Sequence, residues 1–413
     1  MRAASISGPK VYSMIPIIVP LVVLAMGNML SNLLRTLPAI ATDVMQASLA
    51  VDARELAQLV SIFHLTFAMA QIPVGVALDR YGPRKVAMIL LATVAVGSVM
   101  AAALPGALGH GMAQAVLGIG CSGLLLCPMM FAARHVQPAQ FGLWSGVIMG
   151  LGGCGMLLSA SPLAWLVEAA GWQAAFWICG ALAIALAVLT LALLPIDDGS
   201  GHLPHRTLKA DFMEVLRLGG SRVLRPVVLT AFFSFAAVIL IRGLWGGPWL
   251  MDTKGMSRVE AGQVLTWFTI ALIVGSFMAG MLDKWLGRRR MLIAGAHALA
   301  GVALLALVAG APNGLQLGWA TLGNLRHYDA YVLGIYGLSL GMYPLLFAVA
   351  RDAVAGAQVG KALAAVNLAF FVGTALLQSA SGFTVVAWGL STTLALVGIC
   401  LLGTAAVFLR MQR

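Results

Sequence analysis

Two arginines stand inside long apolar stretches of the sequence, where a charge is costly. Arg35 and Arg242 are each flanked by segments rich in Leu, Ile, Val and Ala. A charged side chain inside a membrane span is rare and is by default functional. The planar guanidinium group carries paired donors that fit a carboxylate or a phosphate. The two residues therefore indicate an anion-binding site, unless each side chain bends back to the membrane surface.

Further polar side chains recur at helical spacing in the apolar stretches. Asn28 and Asn32 lie on the same helix face as Arg35. The other candidates for the same site are His64, Gln71, Tyr336, Tyr343, Asn367 and Gln378. Because the pKa of an unperturbed histidine is about 6.5, His64 is the candidate for carrying a proton or donating to a ligand. The alternative for each residue is a hydrogen bond to a neighbouring helix.

The elements that must position these residues are apolar helices. The chain has 413 residues, is 61% hydrophobic and only 9% charged, whereas a soluble domain is about 25% charged. Continuous apolar runs of about 20 residues predict membrane-spanning helices. Twelve such spans are predicted at 14–40, 54–77, 84–104, 110–133, 141–165, 173–195, 226–250, 260–283, 290–311, 329–350, 359–383 and 386–408. The predicted fold is an all-α polytopic membrane protein.

The basic residues predict the orientation of the spans. Of the 25 Lys and Arg residues, 19 fall at the two ends and in the even-numbered turns, four in the odd-numbered turns and two inside spans. Positive charge marks the cytoplasmic side, so both termini are predicted to be cytoplasmic. The net charge of +11 is thereby explained by topology, and no nucleic-acid partner is expected. The N-terminus leads directly into span one, so no cleavable signal peptide is expected.

A charged turn occurs twice. The stretch GVALDRYGPRKV at 75–86 follows span two, and AGMLDKWLGRRRM at 279–291 follows span eight, at an offset of 204 residues. The matching candidates for a conformational gate are Asp79, Arg80, Gly82 and Arg84 in the first copy, and Asp283, Lys284, Gly287 and Arg289 in the second. Their contacts are expected to form in one conformation and break in another. The basic residues could instead only fix topology.

These turns and the repeat resemble the major facilitator superfamily (MFS) of transporters, over nearly the whole chain. The resemblance implies two pseudo-symmetric six-helix bundles at 1–195 and 226–413, joined by a cytoplasmic linker at 196–225 that contains a short amphipathic helix near KADFMEVLRL. It also implies rocker-switch alternating access and a central cavity lined by spans one and seven. Gln114 stands where the family often has an arginine, which puts proton coupling through span four in doubt. Span five lacks the family's antiporter proline motif and carries Gly142, Gly146, Gly150 and Gly153 on one face, which predicts close helix packing.

The region from Arg35 to QIPVGVALDR is similar to the organic-anion (anion:cation symporter) branch of that superfamily. That similarity implies a small carboxylate or organophosphate as substrate, moved by proton symport or anion exchange in the inner membrane of a bacterium. The expected partners are this anion, protons and the lipid bilayer, with the chain acting as a monomer.

Three other functions would make different demands on the sequence. An exporter of apolar or amphipathic compounds would use the 21 Met and 10 Trp residues as an adaptable lining. A non-transporting sensor would signal through the linker, which is short and contains no recognisable module. An enzyme is not expected, because the sequence contains no nucleophile–base arrangement, metal-ligand cluster or phosphate loop. No catalytic residue, metal or cofactor is predicted.

Overall fold

Long apolar helices make up almost all of the described chain. The computed structural model describes residues 15–195, 208–311, 316–317, 320–321, 327–355 and 358–411. Eleven helical stretches within these residues are long and apolar enough to cross a membrane. The last of them, Val359–Met411, bends at Gly389 and contains spans eleven and twelve. The predicted polytopic helical fold is confirmed.

The helices follow the predicted spans, several of which are broken. Their bounds in chain order are Ile15–Thr36, Pro38–Leu49, Ala53–Ala103, Gly106–Cys121, Leu126–His135, Pro138–Leu158, Ser161–Ala170, Trp172–Leu193, Leu208–Gly219, Arg225–Leu240, Gly246–Pro248, Arg258–Leu286, Arg289–Ala309, Tyr328–Leu340, Leu345–Asp352 and Val359–Met411. Two π-helical turns, Ile241–Trp245 and Trp249–Thr253, complete span seven. A two-residue antiparallel pair, Gln316–Leu317 with Ala320–Thr321, lies between spans nine and ten.

Glycine forms the bend in both copies of the charged turn. Gly82 has φ 76° and divides Ala53–Ala103 into spans two and three. Gly287 has φ 58° and ends span eight. Residues with a Cβ rarely adopt positive φ, which is why both turns require glycine. The sequence repeat thus corresponds to a repeated backbone turn.

Proline explains the irregular middle of span seven. Pro248 has no N–H to donate to the carbonyl of Leu244, four residues earlier, so that carbonyl needs another partner. The hydroxyl of Thr42, which follows span one, donates to it at 3.3 Å. π-Helical turns on either side of the proline accommodate the disturbed ladder. The break in span seven is therefore also a contact with the first six spans.

The helix predicted in the linker is present as Leu208–Gly219. Glu214 of this helix pairs with Lys361 at the start of span eleven. The rest of the predicted linker before this helix, 196–207, lies outside the described residues. The linker helix is thus held against the last six spans.

Candidate functional site

The predicted polar face of span one is formed. Arg35 Nη1 donates to Asn32 Oδ1 at 3.3 Å, and Asn32 Nδ2 is 3.3 Å from Asn28 Oδ1. Arg35 Nη2 also lies 3.5 Å from Ser31 Oγ. Asn28 Nδ2 reaches the backbone carbonyl of Ile148 in span five at 3.4 Å. The two asparagines hold the Arg35 side chain in position and anchor span one to span five.

The Arg35 guanidinium is surrounded by aromatic rings. Its central carbon lies 5.0 Å from the ring centroids of Phe67 and Phe371 and 5.8 Å from that of Phe235. Arg35 is 8% exposed. None of the described carboxylates forms an ion pair with it. Cation–π contacts partly replace water around the charge, but the cation has no counter-charge.

Arg242 has different surroundings. It is fully buried in the first π-helical turn of span seven. Its Nε donates to Thr269 in span eight at 2.8 Å, and its Nη2 donates to Ser159 Oγ at 2.9 Å and to the Met156 carbonyl in span five. Ser159 Oγ is also 2.5 Å from Thr36 Oγ1, next to Arg35. Arg242 therefore ties span seven to spans five and eight, with only Nη1 unpartnered.

Neither arginine reaches the membrane surface. Arg35 and Arg242 are 8% and 0% exposed. The alternative in which each side chain bends outward is therefore wrong for this conformation. The two guanidinium groups have different surroundings: that of Arg35 lies among aromatic rings, and that of Arg242 lies among oxygen atoms.

His64 and Gln378 lie together at the centre, in spans two and eleven. Both side chains are fully buried, and the polar neighbours of His64 include Gln378 and Arg35. Five buried polar atoms of Arg35, His64 and Gln378 have no hydrogen bond of normal geometry: Arg35 Nε, both His64 ring nitrogens and both amide atoms of Gln378. Buried polar atoms in proteins are normally hydrogen bonded. Their concentration at one place marks where a polar ligand would find partners.

An aromatic contact separates this group from the cytoplasmic ends of spans two and eleven. The rings of Phe67 and Phe371 have centroids 4.1 Å apart. One helical turn further towards the cytoplasm, Asn367 Nδ2 donates to Gln71 Oε1 at 2.5 Å. The predicted site residues Gln71 and Asn367 therefore bind each other in this conformation. Their contact closes the route from Arg35 to the predicted cytoplasmic side.

The two predicted tyrosines differ in position. Tyr343 packs against Phe235 and Phe370, at 5.6 and 5.5 Å between ring centroids, beside the aromatic rings that surround Arg35. Tyr336 donates its hydroxyl to the Ala237 carbonyl at 2.9 Å and stacks on Phe268. Of the two, only Tyr343 borders the candidate site.

Two ring contacts of Arg35 were missed by sequence reasoning. Phe67 lies on the same face of span two as His64 and Gln71, so the spacing of the polar residues could have identified it. Phe235 has no such pattern around it. Ring contacts to a cation depend on how helices pack, which spacing does not give.

Ionic and packing contacts close the outer side, opposite to the predicted cytoplasmic side. Arg258, at the start of span eight, binds Asp43 with nitrogen–oxygen distances of 2.8 and 2.6 Å. Burial acts to raise the pKa of Asp43, but the hydrogen bond and charge of Arg258 prevail and lower it. Arg54 lies over the ring of Phe383 at 4.0 Å. These contacts join the first six spans to the last six.

The candidate gate residues make contacts within their own half of the chain. Arg84 Nη2 donates to the Leu191 carbonyl at 2.6 Å, and Arg289 binds Asp283 at 2.6 Å and Asp352 at 2.5 Å. Arg80 and Lys284 are exposed, and the Asp79 side chain lies outside the described part of the chain. A contact between the halves at these turns stays a prediction for another conformation.

The family model described as Major Facilitator Superfamily matches residues 21–342. A Bacillus subtilis protein named for niacin/nicotinamide transport is 26% identical over 273 residues, which cover 65% of this chain and 66% of the relative. The methylenomycin A resistance protein of the same organism is 25% identical over 306 residues, covering 70% and 65%. Each alignment thus spans slightly less than two thirds of the relative.

Among solved structures, the chain is similar to a variant of the nucleoside transporter NupG. The TM-score is 0.76, and the match covers 96% of this chain and 99% of the other at 13% identity. This likeness shows the fold alone.

Proposed function

The chain belongs to the Major Facilitator Superfamily, a family of multi-pass membrane transporters, and we propose on this premise that it carries a small organic anion by alternating access. The moving bodies are the bundles at 1–195 and 226–413, in a monomer in the cytoplasmic membrane of a bacterium. Arg35 binds the acidic group of the substrate. Its proposed functional neighbours are the transporters of the organic-anion branch.

The observation that carries this proposal is the unpaired charge of Arg35. Removing a cation from water is costly unless a counter-ion accompanies it. Arg35 has no described carboxylate partner, and its Nε is buried without a hydrogen bond. A bound carboxylate would supply the missing charge and accept from this nitrogen. The substrate would thus stabilise the site that it occupies.

The surroundings of Arg35 favour a monoanion with an apolar body. Phe67, Phe235 and Phe371 surround the guanidinium, and rings of this kind bind apolar and planar groups. Arg242 already uses two of its three nitrogens in protein contacts. A single available cation suits a monocarboxylate better than a dicarboxylate or an organophosphate. The relative named for niacin/nicotinamide transport agrees with this choice.

Passage requires two sets of contacts to open in turn. On the outer side these are the Arg258–Asp43 pair and the Thr42 contact to span seven. On the cytoplasmic side they are the Phe67–Phe371 contact and the Gln71–Asn367 hydrogen bond. Each inner contact joins spans two and eleven, so separating these two spans would expose Arg35 to the cytoplasm.

Export of apolar compounds is the second candidate function. The relative named for methylenomycin A resistance favours it, as does the aromatic lining. Under this alternative the substrate would bind to the rings, and no anion would be required. The two functions therefore differ in the ligands that stabilise the protein.

We expect monocarboxylates to stabilise the purified protein against thermal unfolding. The panel is benzoate, pyruvate, succinate, glycerol 3-phosphate, glucose and tetraphenylphosphonium, each at saturating concentration. A ligand present at 100 times its dissociation constant adds about 2.7 kcal/mol to the free energy of unfolding. Stabilisation by benzoate or pyruvate but not by glucose is the expected result. Stabilisation by tetraphenylphosphonium alone would instead support the exporter.

We expect His64→Gln to uncouple transport from protons. In proteoliposomes, a pH gradient of one unit can drive about tenfold accumulation of an anion that moves with one proton. His64 is buried beside Arg35, so it would take up that proton only together with the anion, whose negative charge offsets that of Arg35. The variant should keep anion exchange but lose pH-driven accumulation of labelled benzoate.

The matched control is His110→Gln, because His110 is equally buried but bonded to Gln114 in span four. It should accumulate benzoate as the unmodified protein does. Accumulation that persists in His64→Gln would exclude His64 from coupling. If the unmodified protein shows exchange alone, the transporter is an anion exchanger and His64 has no coupling role.

A further inference from the structure

A basic cavity lies at the predicted cytoplasmic ends of the last six spans. Its volume is about 920 Å³. It is formed by the segment before span seven, the turn between spans eight and nine, and the ends of spans ten and twelve. The charged residues in its wall include Arg222, Lys284, Arg288, Arg289 and Asp352. None of the residues that line this cavity belongs to the Arg35 group.

The cavity carries an excess of positive charge. Arg289 is paired with both Asp283 and Asp352, the two acidic residues of the wall. Within the described residues, Arg222, Lys284 and Arg288 form no ion pair. The positive-inside rule explains why these cations lie on this side. It does not require residues from two separate segments, Arg222 and the turn at 284–288, to converge on one cavity.

Apolar side chains stand beside these cations at the surface. Val223 is 55% exposed, Trp285 80% and Met291 62%. Val223 and Met291 line the cavity itself, and Trp285 directly follows Lys284. The cavity thus combines a charged interior with an apolar edge at the depth where helices leave the bilayer. An amphipathic anion would satisfy both parts at once.

We infer that this cavity binds the phosphate headgroup of an anionic phospholipid from the cytoplasmic leaflet. Arginine side chains bind phosphate oxygens through paired N–H donors. Basic pockets at the cytoplasmic ends of membrane helices are suited to anionic headgroups. The acyl chains would lie along the exposed side chains of Trp285 and Met291. A free phosphate shares the headgroup chemistry but has no use for the apolar edge.

The binding of lipid tests this inference without any knowledge of the transported substrate. Delipidated protein in detergent is titrated with short-chain phosphatidylglycerol, short-chain phosphatidylcholine or inorganic phosphate, and bound lipid is counted by native mass spectrometry. We expect phosphatidylglycerol to bind at least ten times more tightly than phosphatidylcholine. Inorganic phosphate at equal concentration should not displace it. Equal binding of both lipids would overturn the inference, and displacement by phosphate would overturn the assignment to lipid.

The variant Arg222→Gln/Arg288→Gln should lose at least tenfold in affinity for phosphatidylglycerol. The control Lys85→Gln/Arg217→Gln removes the same charge from exposed cytoplasmic positions outside the cavity and should stay within twofold of the unmodified protein. Arg222→Lys/Arg288→Lys keeps the charge and should recover most of the binding, which separates charge loss from misfolding. Unchanged binding in the Gln variant, or equal losses in variant and control, would overturn the site.

Discussion

Arg35→Met is expected to stabilise the ligand-free protein and to abolish its response to carboxylates. Methionine keeps an unbranched side chain among the rings of Phe67, Phe235 and Phe371 and removes a buried charge that has no counter-ion. Replacing buried ionic groups with apolar groups of similar size often stabilises a protein by about 1–4 kcal/mol. The melting temperature without ligand should therefore rise, whereas benzoate should no longer change it.

The loss of binding should be large because the substrate would bring its own charge into the same site. An anion buried without its partner costs about 2–5 kcal/mol, which corresponds to at least about a 30-fold weaker affinity. Opposite signs for the two effects distinguish a ligand-binding arginine from a structural one. A structural arginine would stabilise the protein through its own contacts, and its removal would lower both stability and binding.

Two control variants make this comparison specific. Arg35→Lys keeps the charge but loses the paired donors, so binding should weaken about tenfold and the melting temperature should change little. Arg242→Met removes the contacts to Met156, Ser159 and Thr269, so it should lower the melting temperature. A melting temperature that falls in Arg35→Met while carboxylates still stabilise the variant would contradict the proposed anion site.

The repeated turns show what the sequence can predict. Gly82 and Gly287 were recognised because the charged residues around them recur, 204 residues apart before the glycine and 205 apart from the glycine onward, and both adopt positive φ in the structure. The membrane-spanning helices were predicted from the length of the apolar runs, because only backbone that satisfies its own hydrogen bonds can cross a membrane. The helical face of Asn28, Asn32 and Arg35 followed from regular spacing in an unbroken helix. These features depend only on residues close in sequence or on a recurring pattern of residue types.

The surroundings of Arg242 could not be predicted in the same way. Adding the repeat offset of 204 to position 35 gives 239, within one helical turn of Arg242, but this relation assumes that both spans are regular helices. Span seven contains π-helical turns at Ile241–Trp245 and Trp249–Thr253. A π-helical turn closes its hydrogen bond one residue later than an α-helix does, so side chains beyond it point in other directions. The offset therefore gives the depth of Arg242 but not the direction of its guanidinium.

The packing face predicted for span five is present only in part: Gly153 packs against Ile273 in span eight, where an added Cβ would lie 3.0 Å from the Ile273 side chain. A Cβ added at Gly146 or Gly150 would meet nothing within 4 Å, so these glycines do not permit a close approach. The close approach occurs instead at Gly152 and Gly155, where a Cβ would lie 2.2 Å from Asn28 Nδ2 and 1.9 Å from the Met29 carbonyl oxygen. Span five has glycines on several faces, and their spacing alone does not show which face meets span one.

Gly247→Ala is expected to prevent the outer side from closing and so to stop transport. The backbone of span seven meets that of the helix after span one at this residue. A Cβ at Gly247 would lie 1.6 Å from the Ala39 carbonyl oxygen. The obstacle is backbone rather than a flexible side chain, so the two helices must separate.

The size of the effect follows from the cost of overpacking. Inserting one methyl group into a well-packed contact costs about 1–3 kcal/mol, and 3 kcal/mol changes the ratio of two conformations about 150-fold. The cost applies only to the conformation in which Gly247 touches Ala39. The variant should therefore accumulate in a state open to the outside, with transport reduced by at least about tenfold and ligand binding retained.

Distances between spin labels at Glu168 and Trp388 measure this change directly. Both residues are exposed near the outer ends of the two halves, and the exposed cysteines Cys154 and Cys400 can first be replaced by serine. The Gly247→Ala variant should shift the distance distribution to longer values, whereas Gly295→Ala, with open space around it, should leave it unchanged.

Thr42→Val provides a milder form of the same change, because it adds no bulk and removes the hydroxyl that Thr42 shares between the Leu244 carbonyl of span seven, at 3.3 Å, and the Pro38 carbonyl of its own helix, at 2.8 Å. It should shift the distances in the same direction by a smaller amount.

If Gly247→Ala keeps the original distances and full transport, spans one and seven do not form the outer gate. If it lowers stability without changing the distances, the contact supports folding and is not a conformational switch. The Thr42 contact relates folding to gating, because Pro248 both breaks span seven and frees the Leu244 carbonyl that Thr42, in the helix after span one, binds.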